Sequence, residues 1–398
     1  MQKKEAFLSI HRQGFVRVAG CTPRVHVGDP AANAGEVLAL MRAAEARHVD
    51  LALFPELGMS AYAIDDLLLQ DALLESVDES LRRLAEASRD LRQVCIVGAP
   101  IRRNNRLYNC AVVIARGKIL GVVPKSFLPN YREYYENRWF APGVGLTGLE
   151  AEVAGQFAPF GTDLIFAASD LSDFVFHVEI CEDFWSATPP STQGALAGAL
   201  ILCNLSASNV VIGKADERAL LCASQSVRCL AAYVFSASGP GESTTDLAWD
   251  GQATIHELGF LLAQGERFPR KSQMAVADVD VERLRLERMR TLTFNATAAA
   301  AGHPENRFRR IAFEHQPAFD DVGLERAIDR FPFVPGDPSR LDQDCYEAFN
   351  IQVQGLMKRI EATHGERIVV GISGGLDSTH ALLVACKAFD ALGLPRAN

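Results

Sequence analysis

The sequence predicts an α/β fold over most of its length, followed by the start of a second α/β region. Up to about residue 280, short apolar runs alternate with amphipathic helical patterns and with hairpins. Near residue 368, another apolar run precedes a glycine-rich turn and a helical pattern. A proline-rich stretch without clear periodicity separates the two regions. This mixture of connections is typical of helices packed over sheets.

Composition and charge narrow the class of protein. The 398 residues suffice for two or three domains, and the formal charge of −9 argues against a basic nucleic-acid surface. The longest apolar stretch, 195–203, is too short to span a bilayer, and residues 1–6 lack a hydrophobic signal core. Nine scattered cysteines form no Cys-x-x-Cys pair. We therefore expect a reduced, cytoplasmic protein with no nucleic-acid or membrane partner and no metal site.

The first half of the α/β region shows both periodicities. Asn33 is predicted to cap a first helix, with Glu36 completing a capping box. A second helix is predicted over 66–92. Apolar runs predict strands, the last two joined by a hairpin turn at 116–118: 16–19, 49–54, 95–98, 108–115 and 119–123.

The second half continues the alternation. Residues 174–180 alternate at period two and predict a buried strand that ends at Cys181. A helix is predicted over 216–231. Further strands are predicted at 200–203, 233–237, 254–256, 260–262 and, as the final one, 274–279.

Residues 291–340 are predicted to link two domains. This stretch carries an Ala-rich run and Pro304, Pro317, Pro332, Pro335 and Pro338. A helix is then predicted from residue 341, a buried strand over 368–372 and a helix to about residue 391. We accordingly divide the chain into a domain over 1–290, a linker over 291–340 and the first part of a second domain over 341–398.

Three polar residues, Glu56, Lys125 and Cys181, each follow an apolar strand. A carboxylate can take a thiol proton, a lysine can stabilise an oxyanion, and a thiol can carry an acyl group. Together they could cleave an amide through a thioester. Taken singly, each has an ordinary interpretation, because a buried cysteine is usually core and a lone glutamate or lysine is usually solvated.

The segments around these residues resemble the nitrilase/amidase superfamily. The resemblance covers residues 14–285 and rests on 54–62, 125–131 and 179–185. It implies a four-layer αββα sandwich, with Glu56 as general base, Lys125 as oxyanion stabiliser and Cys181 as nucleophile. It also implies a second active-site glutamate, for which Glu136 is a better match than Glu133. A surface salt bridge between Glu136 and Arg138 is the alternative.

The segment Ser373-Gly374-Gly375-Leu376-Asp377-Ser378 follows the predicted last strand. Consecutive glycines before a helix let backbone N–H groups surround a phosphate. The segment resembles the pyrophosphate loop of the ATP pyrophosphatases, which implies a Rossmann-like domain beginning with a strand, loop and helix. The residues that this resemblance assigns to ATP are Gly371, Ile372, Ser373, Gly374, Gly375, Leu376, Asp377 and Ser378.

The order of the two regions resembles the glutamine-dependent NAD(+) synthetase family. This resemblance implies that L-glutamine is hydrolysed without a cofactor and that its ammonia passes to adenylated deamido-NAD, with ATP and Mg²⁺ serving the complete synthetase. A homo-oligomer is expected. The glutamine contacts that the resemblance implies are Tyr131, Ser208 and Lys214, with Tyr62 and Glu182 as further wall residues.

Two alternatives stay open. A stand-alone amidase, nitrilase or carbamoylase would share the three polar residues, and a catalytically silent assembly module would share the fold. Only about 25 residues follow the start of the glycine-rich loop. We therefore expect the chain to be complete as an amidase and incomplete as a ligase.

Overall fold

The computed structural model describes residues 7–328, 330–332, 334 and 337–397. They form two compact units, Met1–Arg326 and Ala327–Asn398. The strands of the first unit, within the described residues, are β1 (Phe15–Thr22), β2 (Leu51–Leu53), β3 (Val94–Arg103), β4 (Arg106–Ala115), β5 (Lys118–Pro124), β6 (Leu149–Val153), β7 (Gln156–Phe160), β8 (Leu164–Ala168), β9 (Val175–Ile180), β10 (Ile201–Ser206), β11 (Ala232–Ala237), β12 (Ala253–Glu257), β13 (Phe260–Gln264), β14 (Gln273–Asp280) and β15 (Arg309–Phe313).

Eight α-helices complete the described part of the chain, the last two in the second unit. They are α1 (Pro30–Ala46), α2 (Asp71–Ala87), α3 (Pro190–Leu196), α4 (Lys214–Arg228), α5 (Val281–Arg290), α6 (Leu292–Ala300), α7 (Leu341–Thr363) and α8 (Leu376–Leu392). Among the described residues, no helix is long and apolar enough to cross a membrane.

Two mixed sheets form the centre of the first unit. One has the strand order β14-β1-β2-β3-β4-β5-β7-β6, and the other has the order β13-β12-β11-β10-β9-β8-β15. β1, β2 and β3 run parallel in the first sheet, and β9, β10 and β11 run parallel in the second. The carboxyl ends of these parallel strands therefore form the edges where loops can meet.

Alternation along each strand sorts the core into layers. Val16 and Val18 of β1 share one apolar cluster with Phe176 and Val178 of β9, which places this cluster between the sheets. The opposite face of the first sheet packs on α1 and α2. The opposite face of the second sheet packs on residues of α3 and α4, including Cys222. This arrangement matches the predicted four-layer sandwich of helices and sheets.

Local details differ from the prediction. Asp29, not Asn33, caps α1, because Pro30 begins the helix and the Asp29 side chain accepts from the N–H of Ala32. Asn33 is a buried helical residue that donates to the carbonyl of Met59. The predicted helix 66–92 is divided into a short 3₁₀ helix, α2 and another 3₁₀ turn.

Part of the segment predicted as a linker is folded. The Ala-rich run forms α6, and β15 pairs in parallel with β8, so 274–279 is not the final strand. Arg309 of β15 binds the buried carboxylate of Asp163 at 2.8 Å. The basic residues of β15 conceal its strand character in the sequence. The first compact unit therefore extends beyond the predicted boundary at residue 290, to Arg326. Pro335 lies outside the described residues.

The second unit is a pair of helices. Val353 and Ile360 of α7 pack with Val384, Ala388 and Phe389 of α8. The predicted strand 368–372 is not formed in the described residues, and Val369 is 98% exposed. A strand needs a hydrogen-bonded neighbour, and residues 337–397 contain no other extended segment that pairs with it.

Candidate active site

The three polar residues singled out from the sequence follow strands of the two facing sheets. Glu56 lies just beyond β2, Lys125 directly follows β5, and Cys181 directly follows β9. Glu56 and Lys125 are buried, and Cys181 is 5% exposed. Gly98 of β3 permits the Glu56 turn to approach, because a β-carbon there would lie 2.3 Å from the backbone nitrogen of Leu57. Rigid strands therefore hold all three groups in the interior.

Lys125 is the centre of a buried charged cluster. Its Nζ donates to Oε1 of Glu56 at 2.6 Å and to Oε1 of Glu136 at 2.7 Å. The Tyr62 hydroxyl donates to the same Glu136 oxygen at 2.6 Å. Glu136 thus joins the cluster, whereas Glu133 binds Asn209 instead. The alternative salt bridge from Glu136 to Arg138 is not formed, because Arg138 pairs with Asp66.

The Glu56 carboxylate is fixed at both oxygens. Besides Lys125, Oε1 accepts from Nδ2 of Asn109 at 2.6 Å. Oε2 accepts from the backbone N–H of Ala207 at 2.7 Å. Ala207 follows β10, which is the parallel neighbour of β9, so this bond ties the carboxylate to the strand beside Cys181. The orientation of Glu56 is therefore set before any substrate arrives.

Cys181 begins a 3₁₀ turn that ends at Trp185, and its φ is +43°. A residue other than glycine adopts this left-handed conformation at a cost, and such strain is concentrated at functional sites. Burial raises the pKa of the thiol, and the charge of Glu56 raises it further, whereas Lys125 opposes both. The resting thiol is therefore protonated and needs a base in order to attack.

The charged cluster has unusual acidities. Burial opposes the charge of Lys125, but Glu136 and Glu56 outweigh it and raise the pKa of the ammonium. Burial raises the pKa of Glu136 to about 7, with Lys125 lowering it and Glu56 raising it. Lys125 thus stays charged at neutral pH, and Glu136 titrates there.

The residues predicted to contact a substrate lie around the same turns. The Tyr131 hydroxyl donates to Oε1 of Glu182 at 2.8 Å. Lys214 Nζ donates to Oδ1 of Asn209 at 2.5 Å and lies 5.7 Å from the centre of the Trp185 ring. Ser208 is buried, and its hydroxyl has no hydrogen-bond partner among the described residues. Tyr62 contacts Glu136, as described above.

A narrow cleft of about 30 Å³ opens beside Glu136. Aromatic and acidic side chains line it, among them Tyr62, Glu133, Tyr134, Tyr135 and Trp139. This volume is about that of one water molecule and lies below the range of small-molecule sites.

Sequence reasoning missed several residues of this region. Asn109 lies in β4, where it is indistinguishable from other strand residues until the register brings it to Glu56. The Tyr134 hydroxyl donates to Oδ1 of Asn209 at 2.6 Å. Asp183 accepts from the backbone on both sides of the site. For Tyr134, Asn209 and Asp183, the available signal was closeness in sequence to Tyr131, Ser208 and Cys181, respectively.

The glycine-rich loop of the second unit is exposed. Gly374 has a φ of +81°, and Gly375 precedes the first turn of α8. The Ser378 hydroxyl accepts from the N–H of Ser373 at 3.2 Å, which closes the loop onto the helix. The residues assigned to ATP from the sequence, 371–378, therefore form a turn before a helix but do not follow a strand.

His11, Asp50 and His315 are the group of described residues whose ligand atoms could hold a metal ion, since these atoms lie within 4.8 Å of one another. Nε2 of His315 lies 2.8 Å and Nε2 of His11 lies 3.0 Å from Oδ1 of Asp50. The backbone N–H of Arg17 also donates to Asp50. These are hydrogen-bond distances, and they satisfy the carboxylate without a cation. The expectation of no metal site stays a prediction.

The chain is similar in sequence to proteins of a known family. The sequence profile of the family described as carbon-nitrogen hydrolase matches residues 15–288. A glutamine-dependent NAD(+) synthetase of Mycobacterium tuberculosis is 55% identical over 98% of this chain. The chain spans 58% of the length of that relative.

Two solved structures share the fold. A glutamine-dependent NAD(+) synthetase from Cytophaga hutchinsonii is 26% identical, with a TM-score of 0.60 over 67% of this chain and 43% of its own. The amidase NitN from Nesterenkonia is 18% identical, with a TM-score of 0.53 over 68% of this chain and 95% of its own. The resemblance predicted from the three segments is thus confirmed, and the chain belongs to the carbon-nitrogen hydrolase family.

Proposed function

We propose that this chain is the glutamine-hydrolysing part of a glutamine-dependent NAD(+) synthetase. The observation that carries the proposal is the buried contact of Lys125 with Glu56 and Glu136, which come from separate segments. All three lie near enough to Cys181 for their charges to act on its thiol. The 55% identity to a glutamine-dependent NAD(+) synthetase supports glutamine as the substrate. The sites and their roles below are part of the proposal.

The reaction uses the fixed groups in turn. Glu56 takes the proton of Cys181, and the thiolate attacks the side-chain carbonyl carbon of glutamine. The ammonium of Lys125 stabilises the negative charge that forms on the carbonyl oxygen. Glu56 returns its proton to the leaving nitrogen, and ammonia departs. Water, deprotonated by Glu56, then attacks the carbonyl carbon of the γ-glutamyl thioester. The carbon–sulfur bond breaks, glutamate leaves, and Glu56 returns the proton to the sulfur of Cys181. Glu136 balances the charge of Lys125 throughout.

The substrate contacts follow from the chemistry of a zwitterion. Glutamine carries an ammonium and a carboxylate on its α-carbon. Lys214 suits the carboxylate, Glu182 suits the ammonium, and the unpartnered Ser208 hydroxyl offers a further hydrogen bond. Burial lowers the pKa of Lys214, so a bound anion restores the stability of its charge. Tyr131 and Tyr62 form the aromatic walls.

The remaining steps belong to a synthetase domain that residues 341–398 begin, after the linker. We propose a Rossmann-like ATP-pyrophosphatase domain in which residues 371–378 hold ATP, with Mg²⁺, and ammonia amidates adenylated deamido-NAD. A solved NAD(+) synthetase from Acinetobacter baumannii, similar in fold, was obtained with ADP. The nine cysteines are free, which supports the cytoplasm as the location. The assembly is a homo-oligomer.

Glutamate release from L-glutamine tests the hydrolytic half of this proposal. The purified chain is expected to hydrolyse glutamine, and Cys181→Ala is expected to lose at least about 10⁴-fold in kcat, because the thioester cannot form. Cys345→Ala removes an exposed thiol outside this site and is the matched control. Equal activity in Cys181→Ala and wild type would overturn the mechanism. Turnover of another amide while glutamine is inert would favour a stand-alone amidase.

A further inference from the structure

Asp183 connects the two loops that carry Lys125 and Cys181. Its Oδ1 accepts from the backbone N–H groups of Ser126 at 3.0 Å and Phe127 at 2.8 Å. Its Oδ2 accepts from the N–H of Ile180 at 3.0 Å. Ser126 directly follows Lys125, and Ile180 directly precedes Cys181. A single carboxylate therefore binds the main chain next to both groups.

The placement of Asp183 goes beyond what is needed to close its own turn. The bond to Ile180 lies within the turn that Cys181 begins, but the bonds to residues 126 and 127 reach the other sheet, since Lys125 follows β5 and Cys181 follows β9. Asp183 is 2% exposed. A carboxylate buried to this degree is costly unless its acceptors are satisfied. The N–H donors offset part of that cost, but burial still raises the pKa of Asp183 to about 8.

Glu179, a neighbouring buried carboxylate, has different hydrogen-bond partners from Asp183. Glu179 is equally buried, but it accepts from the Tyr233 hydroxyl at 2.5 Å and from the N–H of Ser191 at 2.8 Å. These partners lie on the outer face of the second sheet, where Tyr233 packs with α3 and α4. Of the three acids near Cys181, Glu182 accepts from the side chain of Tyr131. Among the described residues, Asp183 is the one of the three that accepts from the main chain next to Lys125.

We propose that Asp183 is a positioning residue that sets the separation and orientation of Lys125 and Cys181. This inference takes glutamine as the substrate from the proposed function. The expected effect of Asp183 on the Cys181 thiol does not depend on that function. Without the carboxylate, the loop after β5 and the 3₁₀ turn after β9 lose their shared anchor, and Lys125 no longer faces the carbonyl that Cys181 attacks. A displacement of about 1 Å at a catalytic group can cost about 100-fold in rate.

The test compares Asp183→Asn with Asp163→Asn. Asparagine keeps the shape of Asp183 but turns an NH₂ donor toward backbone donors. Asp163 is the matched control, because it is buried and accepts from the N–H of Gly148 and from Arg309, away from both loops. For Asp183→Asn we expect kcat for glutamine to fall by about 100-fold and KM to change less than about threefold. Asp163→Asn should lower the melting temperature and leave kcat within about threefold of wild type.

The rate of Cys181 alkylation by iodoacetamide, measured against pH, is the readout that a purely structural role would not move. We expect Asp183→Asn to alkylate more slowly and with a shifted pH profile, whereas Asp163→Asn follows wild type. If Asp183→Asn gives no folded protein, Asp183→Ser, whose hydroxyl keeps one acceptor, enters the same comparison. Wild-type kcat and alkylation in the folded variant, or a loss confined to KM, would overturn the proposal.

The two proposals fail separately. If the wild-type chain alkylates at Cys181 but does not hydrolyse glutamine, the proposed substrate is wrong. The alkylation profiles of the two variants still decide the role of Asp183. If glutamine is hydrolysed and the Asp183→Asn profile matches wild type, Asp183 serves stability alone.

Discussion

The turn at Cys181 and the turn at Gly374 look alike in the sequence and differ in the structure. Both follow an apolar run, and both have a positive φ, +43° at Cys181 and +81° at Gly374. The strand before Cys181 pairs with β8 on one side and β10 on the other. The segment before Gly374 pairs with no strand among the described residues, and Val369 is 98% exposed. An apolar run holds a functional turn only where neighbouring strands fix it.

The difference extends to the polar groups. Around Cys181, acids and amides are buried and oriented by named partners, as with Glu56, which three donors hold. Around Gly374, the hydroxyls of Ser373 and Ser378 are exposed and bind one another at 3.2 Å. The first turn is therefore preorganised for chemistry, and the second is a turn before a helix.

Replacement of Glu56 by Gln is expected to lower kcat for glutamine by about 10³-fold, because the amide cannot take the Cys181 proton. The amide oxygen of the new side chain can accept from Lys125 and Asn109, but its NH₂ group then faces the N–H of Ala207, so some loss of stability is expected. Circular dichroism and a melting curve check the fold, and glutamate release gives the rate. Wild-type kcat in folded Glu56→Gln would show that this buried carboxylate is structural.

Glu136→Gln is expected to lower kcat by about 10- to 100-fold and to change the pH profile. Burial raises the pKa of Glu136 to about 7, so the group is protonated below that pH and ionised above it. Ionised Glu136 balances Lys125 and leaves Glu56 freer to accept a proton. In wild type, kcat/KM should therefore rise as the pH passes through about 7, and this limb should flatten in Glu136→Gln. An unchanged limb would assign the titration to another member of the cluster.

Much of the packed turn could be predicted from the sequence. Period two over 174–180 gave the strand before Cys181, and the same logic placed Glu56 and Lys125 at strand ends, because alternation is a local property. Asn109 and the partners of Asp183 could not be predicted, since they depend on which strands are neighbours and in what register. Periodicity does not carry that information.

The segment before Gly374 shows the same limit of prediction from residue patterns. The apolar run 368–372 has the composition of a buried strand, but composition does not supply a pairing partner. The reverse error occurred at β15, where Arg309 and Arg310 conceal a strand that pairs with β8. In both cases, the presence or absence of a neighbouring strand determined whether the segment is a strand, and the local residue pattern indicated the opposite.

The stability of the packed region is expected to depend on the charge of His11. Burial lowers the pKa of His11, but the hydrogen bond and charge of Asp50 outweigh it and raise the pKa. The stabilisation is therefore complete below about pH 6.5, the unfolded value, and is lost as the pH rises through the folded pKa. His11→Gln should lower the free energy of unfolding by about 1–3 kcal/mol at pH 6 and by less at pH 9, in urea titrations.

His256→Gln is the matched control for His11. Burial lowers the pKa of His256 to about 4, so its ring is neutral at both pH values. The cost of His256→Gln should therefore be the same at pH 6 and pH 9. An equal cost of His11→Gln at the two pH values would mean that the ring which donates to Asp50 is not charged.

The smallest effect is expected at the second turn. The described loop offers ATP exposed backbone N–H groups, but the segment before it pairs with no described strand. The loop is therefore not held in place for ATP, which opposes affinity. Calorimetric titration of this chain with ATP to about 100 μM should give no saturable heat, which corresponds to less than about 5.5 kcal/mol of binding free energy. Gly374→Ala, at a φ of +81°, should leave glutamine hydrolysis unchanged. Saturable ATP binding that Gly374→Ala abolishes would show that a phosphate loop can be preorganised without a paired strand, and the contrast with Cys181 would then fail.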